Sequence, residues 1–186
     1  MQVRWGSPKQ EPHWHDLGRA DKIPVALNDW LLTKGSLTQK VIARCRGHFH
    51  LEIVRHGWAR AQLNERRLLL MSDSEWALCR EVALCCDKTP LIFARTIIPN
   101  STLKGSGRRL SCLGRKPLGE LLFRDRSVLR SDLQIACVEN NHSMFEGLAI
   151  KTNTKDKEIW GRRSVFFFAG QPLLVSEMFL PAIRHL

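Results

Sequence analysis

Trp76-Ala77-Leu78-Cys79-Arg80-Glu81-Val82-Ala83-Leu84-Cys85 is followed, after Cys86-Asp87-Lys88-Thr89-Pro90, by Leu91-Ile92-Phe93-Ala94-Arg95-Thr96-Ile97-Ile98, and Pro99 closes the second run. Two apolar runs of strand length with a hairpin-sized gap predict a pair of antiparallel strands. Upstream, Phe49, Leu51 and Ile53 alternate with His48, His50 and Glu52, the period-2 pattern of a half-buried strand. Downstream, strands are predicted over 132–138, 163–169 and 173–180, with Gly170-Gln171-Pro172 turning between the last two. Connections of hairpin size dominate. The expectation is therefore an α+β fold in a single domain, with a mostly antiparallel β-sheet and helices packed on one side.

The helical signals lie between and ahead of these strands. Val25 to Leu32 reads as a helix stopping near Lys34-Gly35, and Ser36-Leu37-Thr38-Gln39 has the form of a capping box opening a second helix toward Ala43. Short helical turns are expected around Arg109–Leu113, closed by Gly114, and from Pro117 to Phe123. Residues 1–22 are polar, with Pro8 and Pro12, and read as a loosely held N-terminal arm. That leaves 23–186 as the domain, with 137–159 an elongated loop inside it.

Composition narrows the function classes. The chain has 186 residues, 44% hydrophobic and 25% charged, which suits a soluble globular core. No apolar run reaches the roughly 18–20 residues of a membrane span, and the N-terminus lacks a secretory signal, so a cytoplasmic location without membrane insertion is expected. The net charge is +11, from 29 Lys+Arg against 18 Asp+Glu. It is spread along the chain rather than gathered into a tail or block, which argues against a nucleic-acid partner. No long heptad pattern calls for more than a monomer.

The six cysteines (Cys45, Cys79, Cys85, Cys86, Cys112, Cys137) form no C-x-x-C pair and read as reduced thiols, mostly in the core. His13-x-His15 and His48-x-His50, with His56 nearby, each lack the further ligands of a recognisable zinc motif, so no metal is expected. The six tryptophans recur at no regular interval, and Ser101 and Ser111 have no nucleophile-elbow context.

Two charges break the apolar pattern. Arg80 shares a strand face with Trp76, Leu78, Val82 and Leu84, and Glu177 shares one with Leu173, Val175 and Phe179. An unpaired buried charge costs several kcal/mol, roughly, so each needs a partner. One reading pairs them with each other or with local carboxylates such as Glu81. The other has them line a pocket and grip opposite ends of one ligand, a guanidinium fork on an acid and a carboxylate on a hydroxyl.

A family resemblance bears on that choice. Asp29-Trp30-Leu31-Leu32, Arg80-Glu81-Val82 with Leu84-Cys85, Ala94-Arg95-Thr96-Ile97-Ile98-Pro99 and Ser101-Thr102-Leu103 resemble the chorismate pyruvate-lyase family. So do Leu113-Gly114-Arg115-Lys116-Pro117-Leu118-Gly119 with Leu122-Phe123, Trp160-Gly161-Arg162-Arg163-Ser164, and Gly170-Gln171-Pro172-Leu173-Leu174-Val175-Ser176-Glu177-Met178-Phe179-Leu180-Pro181. The resemblance implies conversion of chorismate to 4-hydroxybenzoate and pyruvate, supplying the ring of ubiquinone, with no metal or organic cofactor and with product inhibition. It implies an internal ligand cavity beneath flap-like helical segments. Arg80 would hold the ring carboxylate together with the backbone N–H groups of Leu37 and Leu118, and Glu177 would accept from the ring hydroxyl. Arg162 and Arg163 are candidates for the enolpyruvyl carboxylate.

This chain departs from the family's usual pattern at Leu37, where Met is common, and in the length of 137–159. The same fold also serves as a non-catalytic sensor of aromatic carboxylates in regulators that carry a DNA-binding domain ahead of it. About 25 residues precede the fold here, too few for such a domain.

Overall fold

A computed structural model describes residues 11–18, 22–139 and 158–186. Among them are β1 (His15–Asp16), β2 (Phe49–Ala59), β3 (Ala77–Cys86), β4 (Thr89–Pro99), β5 (Leu129–Arg130), β6 (Gln134–Glu139), β7 (Glu158–Phe168) and β8 (Gln171–Phe179). They form one sheet in the order β1-β6-β7-β8-β4-β3-β2, with β5 attached to β7, and every pairing is antiparallel. The helices are α1 (Val25–Leu31), α2 (Leu37–Arg44), α3 (Leu63–Leu69) and α4 (Leu118–Arg124). The architecture is α+β, and among the described residues no helix is long and apolar enough to cross a membrane.

Turn chemistry sets the register on both sides of the central strands. The β3–β4 hairpin turns on Asp87-Lys88 alone, tighter than the five residues expected, because Asp87 adopts a positive φ of 52° and its carboxylate accepts the His48 N–H at 2.8 Å. The β7–β8 hairpin turns on Ala169 and Gly170, at φ 50° and 75°. Gly161 permits the close approach of these two strands, since a Cβ there would lie 2.1 Å from Met178 Sδ and 3.2 Å from the Glu177 carbonyl.

The two faces of the sheet are covered differently. Leu27, Trp30 and Leu31 of α1 and Leu37 and Val41 of α2 pack on one face with Leu51, Val82, Leu84 and Phe179. Leu118 and Leu122 of α4 join Leu78, Ile98, Phe166 and Leu173 on that face. Helix α3, absent from the sequence reading, puts Leu69 against Cys79, Ile97, Val165 and Leu174 on the opposite face. β7, which expectation began at 163, begins at Glu158 and is buried on both faces along almost all its length.

The structure corrects several other expectations. The predicted turn over Arg109–Leu113 is a 3-10 segment at Gly105–Leu110, and Pro117 caps α4 instead of entering its first turn. The described part of the N-terminal arm is tied down rather than loose. Glu11 accepts the N–H groups of Leu63 and Asn64 at 2.8 and 3.1 Å, and His15–Asp16 pairs with β6. This covers an otherwise open sheet edge. Residues 137–139 and 158–159 of the expected loop belong to β6 and β7, and the remainder, 140–157, lies outside the described residues.

The thiols are not all reduced. Cys45, just past α2, forms a disulfide with Cys86 at the end of β3. Cys79, Cys85, Cys112 and Cys137 are free, and burial pushes Cys79 up to about 12 and Cys85 and Cys137 up to about 11. The bridge spans a sequence separation of 41. A loop of that size stabilises by about 4 kcal/mol on the chain-entropy account. Reduction is expected to lower the urea midpoint clearly, and coincident unfolding curves for oxidised and reduced protein would refute it.

Candidate active site

Alternation along four adjacent strands builds one cavity. Arg80 and Val82 of β3, Ala94 and Thr96 of β4, Val175 and Glu177 of β8, and Arg162 and Phe166 of β7 all face it. The start of α2 (Ser36, Leu37, Thr38) and the start of α4 (Pro117, Leu118, Gly119) cover it, and the space including its mouth is about 570 Å³. Arg80 stands opposite Thr96, and Thr96 opposite Val175, so Glu177 lies two strands over and two residues along. That separates the two Cα atoms by about 9.5 Å across the sheet and about 6.8 Å along it. Both charges point into the same chamber without touching each other.

Each charge has a different neighbour from the one a mutual ion pair would give. Arg80 is only 2% exposed, and its Nη2 donates to the carbonyls of Gly114 and Lys116, both at 3.1 Å. Its buried Nε has no acceptor, and among the described residues no carboxylate lies within ion-pair reach. Desolvation pulls its pKa below the ordinary arginine value. A guanidinium desolvated in this way and lacking a counter-ion is a prepared anion site. Leu37 and Leu118 are the first residues of their helices, where N–H groups have no intrahelical acceptor. The Ser36 side chain accepts from Gln39 N at 3.4 Å, which supplies the serine half of the expected capping box.

Glu177 accepts from Arg162 Nε at 2.8 Å through Oε2, and Oε1 has no hydrogen bond among the described residues. Arg162 is itself anchored to backbone. Its Nη1 donates to the carbonyls of Leu31 at 3.0 Å and Thr33 at 2.5 Å, at the C-terminal end of α1, where a cation is favoured. Arg162 therefore fixes the orientation of Glu177, while its Nη2 has no hydrogen bond among the described residues. Arg163, the next residue of β7, points to the other face. There it donates to Gln134 at 2.9 Å and Asn64 at 2.6 Å and stacks on Trp14, and burial pushes its pKa down to about 10. The structure brings Leu37, Arg80, Leu118, Arg162 and Glu177 together and leaves Arg163 out.

The sequence reading missed Arg130 on β5. Its ring-plane neighbour is Phe166, 5.3 Å away, and its Nε donates to Ser164 Oγ at 3.1 Å and its Nη1 to the Lys34 carbonyl. Burial lowers its pKa, with Arg162 adding to the effect and Glu177 opposing it. A two-residue strand gives alternation nothing to work on, so no sequence signal marked it. Among the described residues the cavity lining contains no histidine or cysteine, and Glu177 is its one carboxylate.

Comparison with known proteins decides the family. The chorismate lyase family matches residues 9–185. This chain belongs to the chorismate lyase family. It is 39% identical over 157 residues to a probable chorismate pyruvate-lyase of Methylococcus capsulatus, covering 84% of this chain and 96% of the relative. The chorismate pyruvate-lyase of Pectobacterium atrosepticum is 35% identical over 160 residues, 86% of this chain and 79% of that one. Among solved structures, PhnF from Mycobacterium smegmatis superposes with a TM-score of 0.57 at 15% identity, covering 81% of this chain and 65% of PhnF. A GntR-family regulator from Bacillus cereus gives 0.54 at 12%, over 72% and 92%. These last two share the fold of the chorismate lyase chain and nothing more specific.

Proposed function

We propose that the cavity binds chorismate and converts it to 4-hydroxybenzoate and pyruvate, the step that supplies the ubiquinone ring. The observation that carries this is the buried, carboxylate-free guanidinium of Arg80 facing the same chamber as the open Oε1 of Glu177. In this reading Arg80 and the N–H groups of Leu37 and Leu118 hold the ring carboxylate. Glu177, steadied by Arg162, accepts from the ring hydroxyl. Arg162 and Arg163 were the candidates for the enolpyruvyl carboxylate. Arg163 is engaged on the other face, so Arg162, which lines the cavity, stays the candidate, with Arg130 beside Phe166 behind it as a second.

The chemistry asks little of the protein beyond restraint. The hydrogen on the hydroxyl-bearing ring carbon moves to the enolpyruvyl methylene, the ring C–O bond breaks, and its electron pair ends in the ketone of pyruvate. The ring closes its aromatic sextet. Such a shift within one molecule needs a fixed conformer and the exclusion of water rather than a strong base, and the cover of α2 and α4 supplies both. A second route passes the proton through Glu177. The reading carries with it a cytoplasmic, monomeric enzyme without nucleic-acid partners.

The test is to mix the protein with chorismate and follow 4-hydroxybenzoate by absorbance; binding without product would favour the sensor. Chorismate deuterated at the hydroxyl-bearing carbon separates the routes. The internal shift delivers deuterium to the pyruvate methyl group, whereas transfer through Glu177 loses it to solvent. Glu177→Gln is expected to lower kcat/KM by about tenfold or more, and unchanged kinetics would remove this residue from the site.

A further inference from the structure

The sheet face turned away from the cavity carries a second cluster of chemically able side chains. His50 of β2 stands directly opposite Cys85 of β3 in the ladder, and Glu52 follows His50 by two residues on the same face. One imidazole nitrogen, the Cys85 sulfur and one Glu52 oxygen all lie within 4.8 Å of one another. Cys85 is buried and held by its strand, while His50 is half-buried and Glu52 exposed, so the site has a fixed base and an open side. His48, two residues before His50 on that face, stacks on it with ring centroids 6.1 Å apart.

We propose that Cys85, His50 and Glu52 form a zinc-binding site, with water or His48 in the fourth position. One thiolate, one imidazole and one carboxylate are the donors this borderline-soft cation takes in tetrahedral sites. Zn–S of about 2.3 Å and Zn–N and Zn–O of about 2.0–2.2 Å need ligand atoms roughly 3.4–3.6 Å apart. Closing from 4.8 Å takes about 1 Å of rotamer movement by His50 and Glu52, which the solvent side permits. The Cys85 proton leaves to solvent as the sulfur–metal bond forms, with no change of oxidation state. The pair His48 and His50 at the start of β2 lacked further ligands in sequence because Cys85 is brought to it only by strand pairing. The metal would staple the edge strand β2 to β3 and take no part in chemistry, since Leu51 and Leu84 between these positions face the cavity instead.

The test uses the full chain after chelator treatment and dialysis, titrated with cobalt(II) alone. A thiolate-to-cobalt charge-transfer band in the near ultraviolet is expected, bleached by added zinc and absent in Cys85→Ser. His50→Ala is expected to weaken cobalt binding by more than about tenfold while the chain stays folded by circular dichroism. No band with the wild-type chain overturns the proposal, as does a band that survives in Cys85→Ser or an affinity unmoved by His50→Ala.

Discussion

Arg80→Ala is expected to lower kcat/KM for chorismate by roughly 30- to 1000-fold, equivalent to about 2–4 kcal/mol. The variant removes the one guanidinium in the cavity that has no carboxylate of its own, leaving a desolvated ligand carboxylate with only backbone donors. Affinity for 4-hydroxybenzoate should fall by a similar factor, because the product keeps the ring carboxylate. Arg80→Lys retains the charge but loses the planar fork, and should fall between the two. Stability is expected to fall modestly, because the Gly114 and Lys116 carbonyls lose their donor. Steady-state kinetics and product titration check this; wild-type values for both would remove Arg80 from the site.

Arg95→Ala is expected to have the largest effect on stability, about 3–5 kcal/mol, or roughly 10 °C in Tm. Arg95 is buried on the face opposite the cavity, where its Nε donates to Glu65 Oε1 at 2.7 Å, its Nη2 to Glu65 Oε2 at 3.0 Å, and its Nη1 to Glu81. Glu65 also caps α3 by accepting the Gln62 N–H at 2.8 Å. Removing the guanidinium strands a carboxylate that is only 3% exposed. Replacing Arg95 and both glutamates together by apolar residues of similar volume should recover much of the loss. Urea titration of the single and triple variants checks this, and equal midpoints for Arg95→Ala and wild type would refute it.

Much of the site was legible because a period of two marks a misplaced charge. Arg80 and Glu177 stood out among apolar neighbours, and the cavity holds both. The same alternation puts Arg95 between Phe93 and Ile97, yet it was read only as part of a family motif. Partner choice was not legible. Arg162 and Arg163 are adjacent and chemically identical, and only the strand boundary at Glu158 decides which one faces Glu177. Helix α3 escaped notice because Leu63-Asn64-Glu65-Arg66-Arg67-Leu68-Leu69 is two turns long and opens on a glutamine. The Cys45–Cys86 bridge depends on α2 folding back along the hairpin, and nothing local in the chain announces that.

The two halves of the roof are anchored unequally. Helix α2 is bolted at its far end by the disulfide and lashed to α1 through Lys40 and Arg44, which meet Asp29 at 2.7 and 2.6 Å. The approach to α4 hangs instead on the Gly114 and Lys116 carbonyls held by Arg80. The segment leading into α4 is thus tied to the sheet through a cavity side chain, so a change at Arg80 is felt in the roof as well as in the chamber.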